Sequence, residues 1–242
     1  PEQSYRDNET TTIERLKEFA EEQGADFTQI SLAGSQFRCS GSVEYIQWME
    51  HALSITRGAS GAERIRVSNA WLRSRGGPYD FQVFDDPQAL EDALQLHVRE
   101  GRTARLVASY AREWKTGGVS KPHALPDQEK DFNIVYERDG VRRTWSRIWN
   151  YTPDQDYSLF IQAPEGSPAH ANPLGEVGCP YVLRGFDFDY AGLLWFSDLV
   201  RRGNRWKVNL EHVHESAWRL AVSAARKGRT GGEEAVIERL KR

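Results

Sequence analysis

Apolar residues recur at helical spacing from Thr10 to Gln23, where Ile13, Leu16, Phe19 and Ala20 form one stripe and Gly24 supplies a stop. The pattern predicts an amphipathic helix. DFTQISL (26–32) alternates apolar and polar positions over the length of a strand. Ser42 can cap a second helix over 43–53, with Val43, Ile46, Trp48, Met49 and Leu53 on its apolar side. Residues 57–78, rich in Gly, Ser and Arg, read as an exposed loop, and YDFQVFD (79–85) reads as a strand. Asp86-Pro87 then opens a helix to Glu100 carrying Ala89, Leu90, Ala93, Leu94 and Val98, and RLVASYA (105–111) reads as a buried strand. Strand, helix, strand in that order is the mark of a parallel βαβ unit.

From 112 to 173 the periodicity breaks. WKTGGVSKPHALP, the hairpin-like NIVYERDGVRRTW and the Pro/Gly/Ala-rich APEGSPAHANPLG predict an inserted, loop-rich region. Regularity returns with short apolar strands at 177–182 and 191–196, a further strand at 205–210, and two closing helices. The fold class expected is α/β, a mostly parallel sheet flanked by helices, with the whole of 1–242 forming one unit.

The 242 residues, 39% hydrophobic and including 8 Trp, 9 Tyr and 10 Phe, suffice for a core and exclude disorder throughout. No apolar run is long enough to span a membrane, and the polar start PEQSYRDNET lacks the features of a secretory leader. Two cysteines, Cys39 and Cys179, are too few for a disulfide framework and read as small buried hydrophobes, so a reducing, cytoplasmic setting is expected. The chain begins with Pro1 and its single methionine is Met49, which reads as a piece of a longer protein. Net charge is −3, but residues 200–242 hold 11 Lys/Arg against 5 Asp/Glu, a net +6 that offers a contact for a polyanion or simply a solvated helical face.

Phosphate-binding loops of the forms GxxxxGK[ST] and GxGxxG are absent, so the chain should not hold a nucleotide by itself. Three other segments carry candidate chemistry. LAGSQFRCSGSVEYIQW (32–48) sets Gln36 and Arg38 between a strand and a helix, where an arginine suits a phosphate. GCPYVLRGFDFDYAGLLW (178–195) places Asp187 and Asp189 between apolar stretches, and Gln3 precedes the first helix.

These segments resemble the second RecA-like lobe of superfamily 1 helicases, most closely the Schlafen group 3-like DNA/RNA helicase family. Gln36-Phe37-Arg38, Gly41-Ser42, Tyr45-Ile46 and Trp48 look like the family's fourth motif. Gly185, Asp187, Phe188, Asp189, Tyr190 and Gly192 look like its fifth, preceded by the Gly178-Cys179 pair that the family tends to carry, and Gln3 looks like the glutamine of the third. The sequence departs from the pattern at Val182 (Thr in the family), Arg184 (Gln) and Asp187 (Glu).

The resemblance implies a RecA-like, P-loop NTPase-type lobe running from the third motif to just before the sixth. Within it Arg38 and Gln3 would serve catalysis at the γ-phosphate. Gln36, Gly185 and Asp187 would face the nucleotide, and Arg184, Trp114 and Trp149 the nucleic acid. ATP and Mg²⁺ would be bound mainly by a first RecA-like lobe, the partners being that lobe and DNA or RNA, with no ATP hydrolysis by this piece alone. Two other readings stand beside it: a non-catalytic nucleic-acid-binding or regulatory module that uses the basic tail and loop Arg and Trp residues, and a metal-dependent nuclease built on Asp187, Asp189 and Asp198. Asp189 alone reads mainly as a structural turn former. His212 and His214 would share one face of a strand without a third ligand, Arg64, Arg66, Arg73 and Arg75 would sit in an exposed loop, and no metal site is expected.

Overall fold

A computed structural model describes residues 13–30, 43–53, 60–74, 79, 81–153, 156, 158–183, 186–203, 205–229 and 231–240. The chain divides into two compact units, 1–80 and 81–241. In the first, α1 (Ile13–Glu22) ends as the sequence predicts: Gly24 takes a left-handed φ of 65°, and the amide of Ala25 donates to Ala20 O at 2.8 Å. Helices α2 (Val43–Ala52) and α3 (Gly61–Ser74) pack through buried Tyr45, Val67 and Trp71. The Trp48 and Trp71 rings stack at 5.7 Å, and Tyr45 lies 4.1 Å from Tyr79.

Helix α3 corrects the expectation of a loop at 57–78. Val67 and Trp71, four residues apart, make its buried stripe, while Arg64, Arg66 and Arg73 ride on the helix. Residues 26–30 and 81–85, read as strand, belong to no sheet.

The second unit is built on a five-stranded sheet in the order β2-β3-β4-β1-β5: β1 (Ala104–Ala108), β2 (Phe132–Arg138), β3 (Val141–Trp149), β4 (Glu176–Gly178) and β5 (Tyr190–Leu194). β3, β4, β1 and β5 run parallel, and only β2 is antiparallel to its neighbour. β1, fully buried, reads ARLVA, as expected of a strand covered on both faces. The hairpin expected at 133–145 forms around Asp139-Gly140, both at positive φ, and its second strand joins the main sheet beside β4. α4 (Pro87–Arg99) starts where Asp86-Pro87 predicts, with Asp86 Oδ1 accepting from the Ala89 amide at 2.7 Å.

Short helices α5 (Ser158–Gln162), α6 (Pro168–Ala171) and α7 (Pro180–Leu183) interleave with the strands. α7 shortens the strand expected at 177–182. The core gathers Phe132, Trp145, Trp149, Leu106, Val177, Cys179, Val182 and Phe160. Beyond β5 lie an antiparallel ribbon of β6 (Leu199–Arg202) and β7 (Arg205–Val208), then α8 (Ser216–Arg226) and α9 (Gly232–Leu240), which close on each other through Val222, Ala225 and Val236. This mixed α/β sheet, mostly parallel and flanked by helices, is consistent with a RecA-like fold. Among the described residues no helix is long and apolar enough to cross a membrane.

Candidate functional site

The acidic turn before β5 is held from behind. Thr103, just ahead of β1, donates its amide and its hydroxyl to Asp189 Oδ2 at 2.8 and 2.9 Å, and the Asp189 amide donates to Thr103 Oγ1 at 2.9 Å. These bonds hold the Asp189 carboxyl below its ordinary pKa, with a smaller push in the same direction from Arg102 at 3.9 Å. The structural reading of Asp189 therefore stands.

Phe188 is anchored by a different residue. Its ring lies 5.3 Å from the guanidinium carbon of Arg105 on β1, which also sits over Phe160 at 5.5 Å. Arg105 is buried and donates to the carbonyls of Phe160, Ala104 and Ile161 at 2.9, 2.8 and 3.1 Å. Burial lowers its pKa and the charge of Glu176 opposes that shift; Glu176 Oε2 in turn lies 3.0 Å from His123 Nε2. With Phe188 and Asp189 tied down, Asp187 and Phe186 are left at the surface. The Asp187 carboxylate makes no hydrogen bond or ion pair among the described residues. It is a placed acceptor open to a hydroxyl or amine donor.

Of the other residues singled out in the sequence, Gln3, Gln36, Arg38, Arg184 and Gly185 lie outside the described residues, as do Cys39 and Arg75. Trp149 is 0% exposed on β3, wedged 4.5 Å from Tyr110 and 5.9 Å from Phe132, so the expectation that it stacks on a base is corrected: its ring has no open face. Trp114 is half-buried against the same core, its indole close over Gly117.

Asp198 lies past the far end of β5, where it accepts from Ser109 Oγ at 2.6 Å. Five strand residues separate it from Asp187 and Asp189, on the order of 16 Å, so the three carboxylates cannot share one metal. Among the described residues no group of three or more His, Cys, Asp or Glu could hold one. His212 ends a short 3₁₀ turn (Leu210–His212), and the His214 amide donates to Tyr110 O at 2.8 Å, so the pair does not share a strand face.

Two structural nodes escaped the sequence reading. Buried Asp131 accepts from the amides of Lys115, Thr116 and Trp149 and from Thr116 Oγ1, pinning the 115–116 turn to β3. Arg112 is sandwiched between Phe132 and Phe196 at 4.7 and 4.1 Å. An acid just before a strand and an arginine just after one are the only marks these residues leave in the sequence, and neither is distinctive.

A family model described as Schlafen group 3, DNA/RNA helicase domain, matches residues 1–239, so the chain belongs to that family. No curated protein and no solved structure matches it.

Proposed function

We propose that this member of the Schlafen group 3 DNA/RNA helicase domain family is the second motor lobe of an ATP-dependent helicase-like translocase acting on DNA or RNA. The observation that carries the reading is the acidic turn: two of its residues are fixed from beneath while Asp187, in the segment that resembles the family's fifth motif, is presented to solvent.

In this reading the Asp187 carboxylate accepts from a sugar hydroxyl of the nucleotide, the Gly185 backbone allows close approach, and Gln36 adds a polar contact. Arg38 sets a fixed positive charge against the γ-phosphoryl oxygens, where negative charge must be stabilised during transfer. Gln3 orients the attacking water and couples its position to the nucleic-acid track, to which Arg184 and the half-buried Trp114 contribute. ATP supplies the free energy of phosphoanhydride hydrolysis. Because no phosphate-binding loop occurs in the sequence, the phosphates and Mg²⁺ are assigned to a first RecA-like lobe, and this chain alone is inactive.

Val182, which replaces the family's threonine, is buried in the core with Phe160. Its environment is apolar and suits a side chain without a hydroxyl.

The test is ATP hydrolysis, with and without single-stranded DNA or RNA, by this chain alone and joined to its first lobe. No turnover alone and nucleic-acid-stimulated turnover when joined is the expected result. Hydrolysis by the isolated chain, or a joined protein that binds nucleic acid but never hydrolyses ATP, contradicts the motor reading; the latter would indicate a non-catalytic binding module.

A further inference from the structure

The β6–β7 ribbon carries more positive charge than its fold requires. Arg201, Arg202, Arg205 and Lys207 are all exposed, and none makes an ion pair among the described residues. The register pairs Leu199 with Val208, Val200 with Lys207, Arg201 with Trp206 and Arg202 with Arg205. Since side chains alternate along a strand and cross-strand partners share a face, Arg202, Arg205 and Lys207 fall on one face. Leu199, Arg201, Trp206 and Val208 fall on the other. That second face is the anchored one: Trp206 lies 5.6 Å from Trp195, whose indole N–H donates to Leu199 O at 2.7 Å.

Directly opposed like charges destabilise an antiparallel pair, so the Arg202–Arg205 pairing is not explained by ribbon stability. The β2–β3 hairpin of the same unit shows the ordinary solution: Arg142 is opposed to Glu137, and Arg138 is neutralised by Asp86 and Asp92. Arg205 and Lys207 are two residues apart on one strand, about 7 Å, on the order of the separation between successive phosphates along a strand. Arginine forks and a lysine at that spacing suit phosphodiester oxygens.

We propose that the Arg202, Arg205 and Lys207 face of the β6–β7 ribbon binds the phosphate backbone of single-stranded nucleic acid. The inference rests on the nucleic-acid part of the proposed function and adds a contact surface on a segment outside the motif-matched residues. It makes the ribbon a sequence-independent track contact, with Trp195 and Trp206 holding the ribbon to the sheet edge.

The experiment is fluorescence anisotropy of labelled oligothymidylate and oligouridylate titrated with the chain across a salt series. It compares wild type with the triple variant Arg202→Gln, Arg205→Gln, Lys207→Gln and the control Arg142→Gln, Arg143→Gln. Each lost phosphate contact lowers the slope of log K against log salt by about 0.7 for a single strand, so the triple variant should lose about 2 in slope and roughly tenfold or more in affinity. The control should keep the wild-type slope, circular dichroism should match for all three proteins, and the urea midpoint of the triple variant should equal or exceed that of wild type, since the opposed Arg202 and Arg205 charges are gone. The DNA and RNA arms report which backbone is held more tightly. A triple variant that folds and retains the wild-type slope overturns the ribbon assignment while leaving the nucleic-acid reading intact. Displacement of the oligonucleotide by polyglutamate at equal charge overturns the choice of ligand in favour of an acidic protein segment. A wild-type chain that binds neither oligonucleotide overturns both this inference and the nucleic-acid reading beneath it.

Discussion

Thr103 and Asp189, 86 residues apart, hold each other through three hydrogen bonds, and the acidic turn stands on that clamp. Removing the Thr103 hydroxyl in Thr103→Val deprives the Asp189 amide of its acceptor. Hydrogen exchange at Asp189 should accelerate, while amides in the middle of β1 keep wild-type protection. The clamp also has an acid limit. The folded Asp189 pKa lies below its ordinary 3.8 because Thr103 donates to it, so its stabilisation is present above that value. It is lost as the pH falls through the lowered folded value, and exchange in the turn should rise there first.

Asp187 should behave in the opposite way to its neighbour. Because its carboxylate is exposed, Asp187→Ala should leave the urea midpoint of the chain unchanged. On the motor reading, loss of the proposed sugar contact in the protein joined to a first lobe should raise the KM for ATP roughly tenfold with little change in kcat. Equal KM values for variant and wild type would remove Asp187 from the nucleotide site.

Gly178 and Gly192 differ in what a side chain placed there would meet. A Cβ on Gly178 would meet Val182 Cγ2 at 2.7 Å and the Phe160 ring at 2.8 Å, both stiff neighbours. A Cβ on Gly192 would meet Leu94 Cδ1 at 2.6 Å and Leu106 Cδ2 at 3.0 Å, ends of leucine side chains that can swing aside. Gly178→Ala should cost about 1–3 kcal/mol as an overpacked core site, and Gly192→Ala less. Urea denaturation of the two variants reads the order directly.

The chain's local signals were legible wherever one element could declare itself. Asp86-Pro87 marked the start of α4, Gly24 the end of α1, and Asp139-Gly140 the hairpin. α3 was misread because its arginines and small residues mask a stripe of only Val67 and Trp71, and β6 was missed because LVRR carries two arginines in four residues. The outward placement of Asp187 could not be read either, since it depends on Thr103 and Arg105 reaching the turn from β1, a pairing set by sheet order. Trp149 failed as a base platform for the same reason: Asn150, Thr152 and Pro153 after it look like loop, whereas its neighbours in space are Tyr110 and Phe132.

Asp131 supplies a stability test independent of function. Its buried carboxylate satisfies three backbone amides and one hydroxyl, so Asp131→Ala leaves several buried donors without acceptors. A loss of about 3 kcal/mol or more is expected from the urea midpoint. A smaller loss would mean that the 115–116 turn relaxes to water.

His214 gives the chain a second pH signature. Burial lowers its pKa, as do nearby Arg219, His212 and Arg112, while Glu113 opposes them. The unfolded chain therefore takes up the proton first, so the stabilisation is complete above 6.5 and is lost as the pH falls below 6.5 toward the lowered folded value. Chemical denaturation followed from neutral pH down to about pH 5 should show that decline in wild type and a shallower one in His214→Gln.

The motor reading turns on Arg38. In the complete protein, Arg38→Ala should lower the kcat of nucleic-acid-stimulated ATP hydrolysis by more than about tenfold, with oligonucleotide affinity unchanged, and Arg38→Lys should not restore it, because a lysine lacks the planar fork. Hydrolysis at the wild-type rate in Arg38→Ala would contradict the assignment of this domain as a motor lobe.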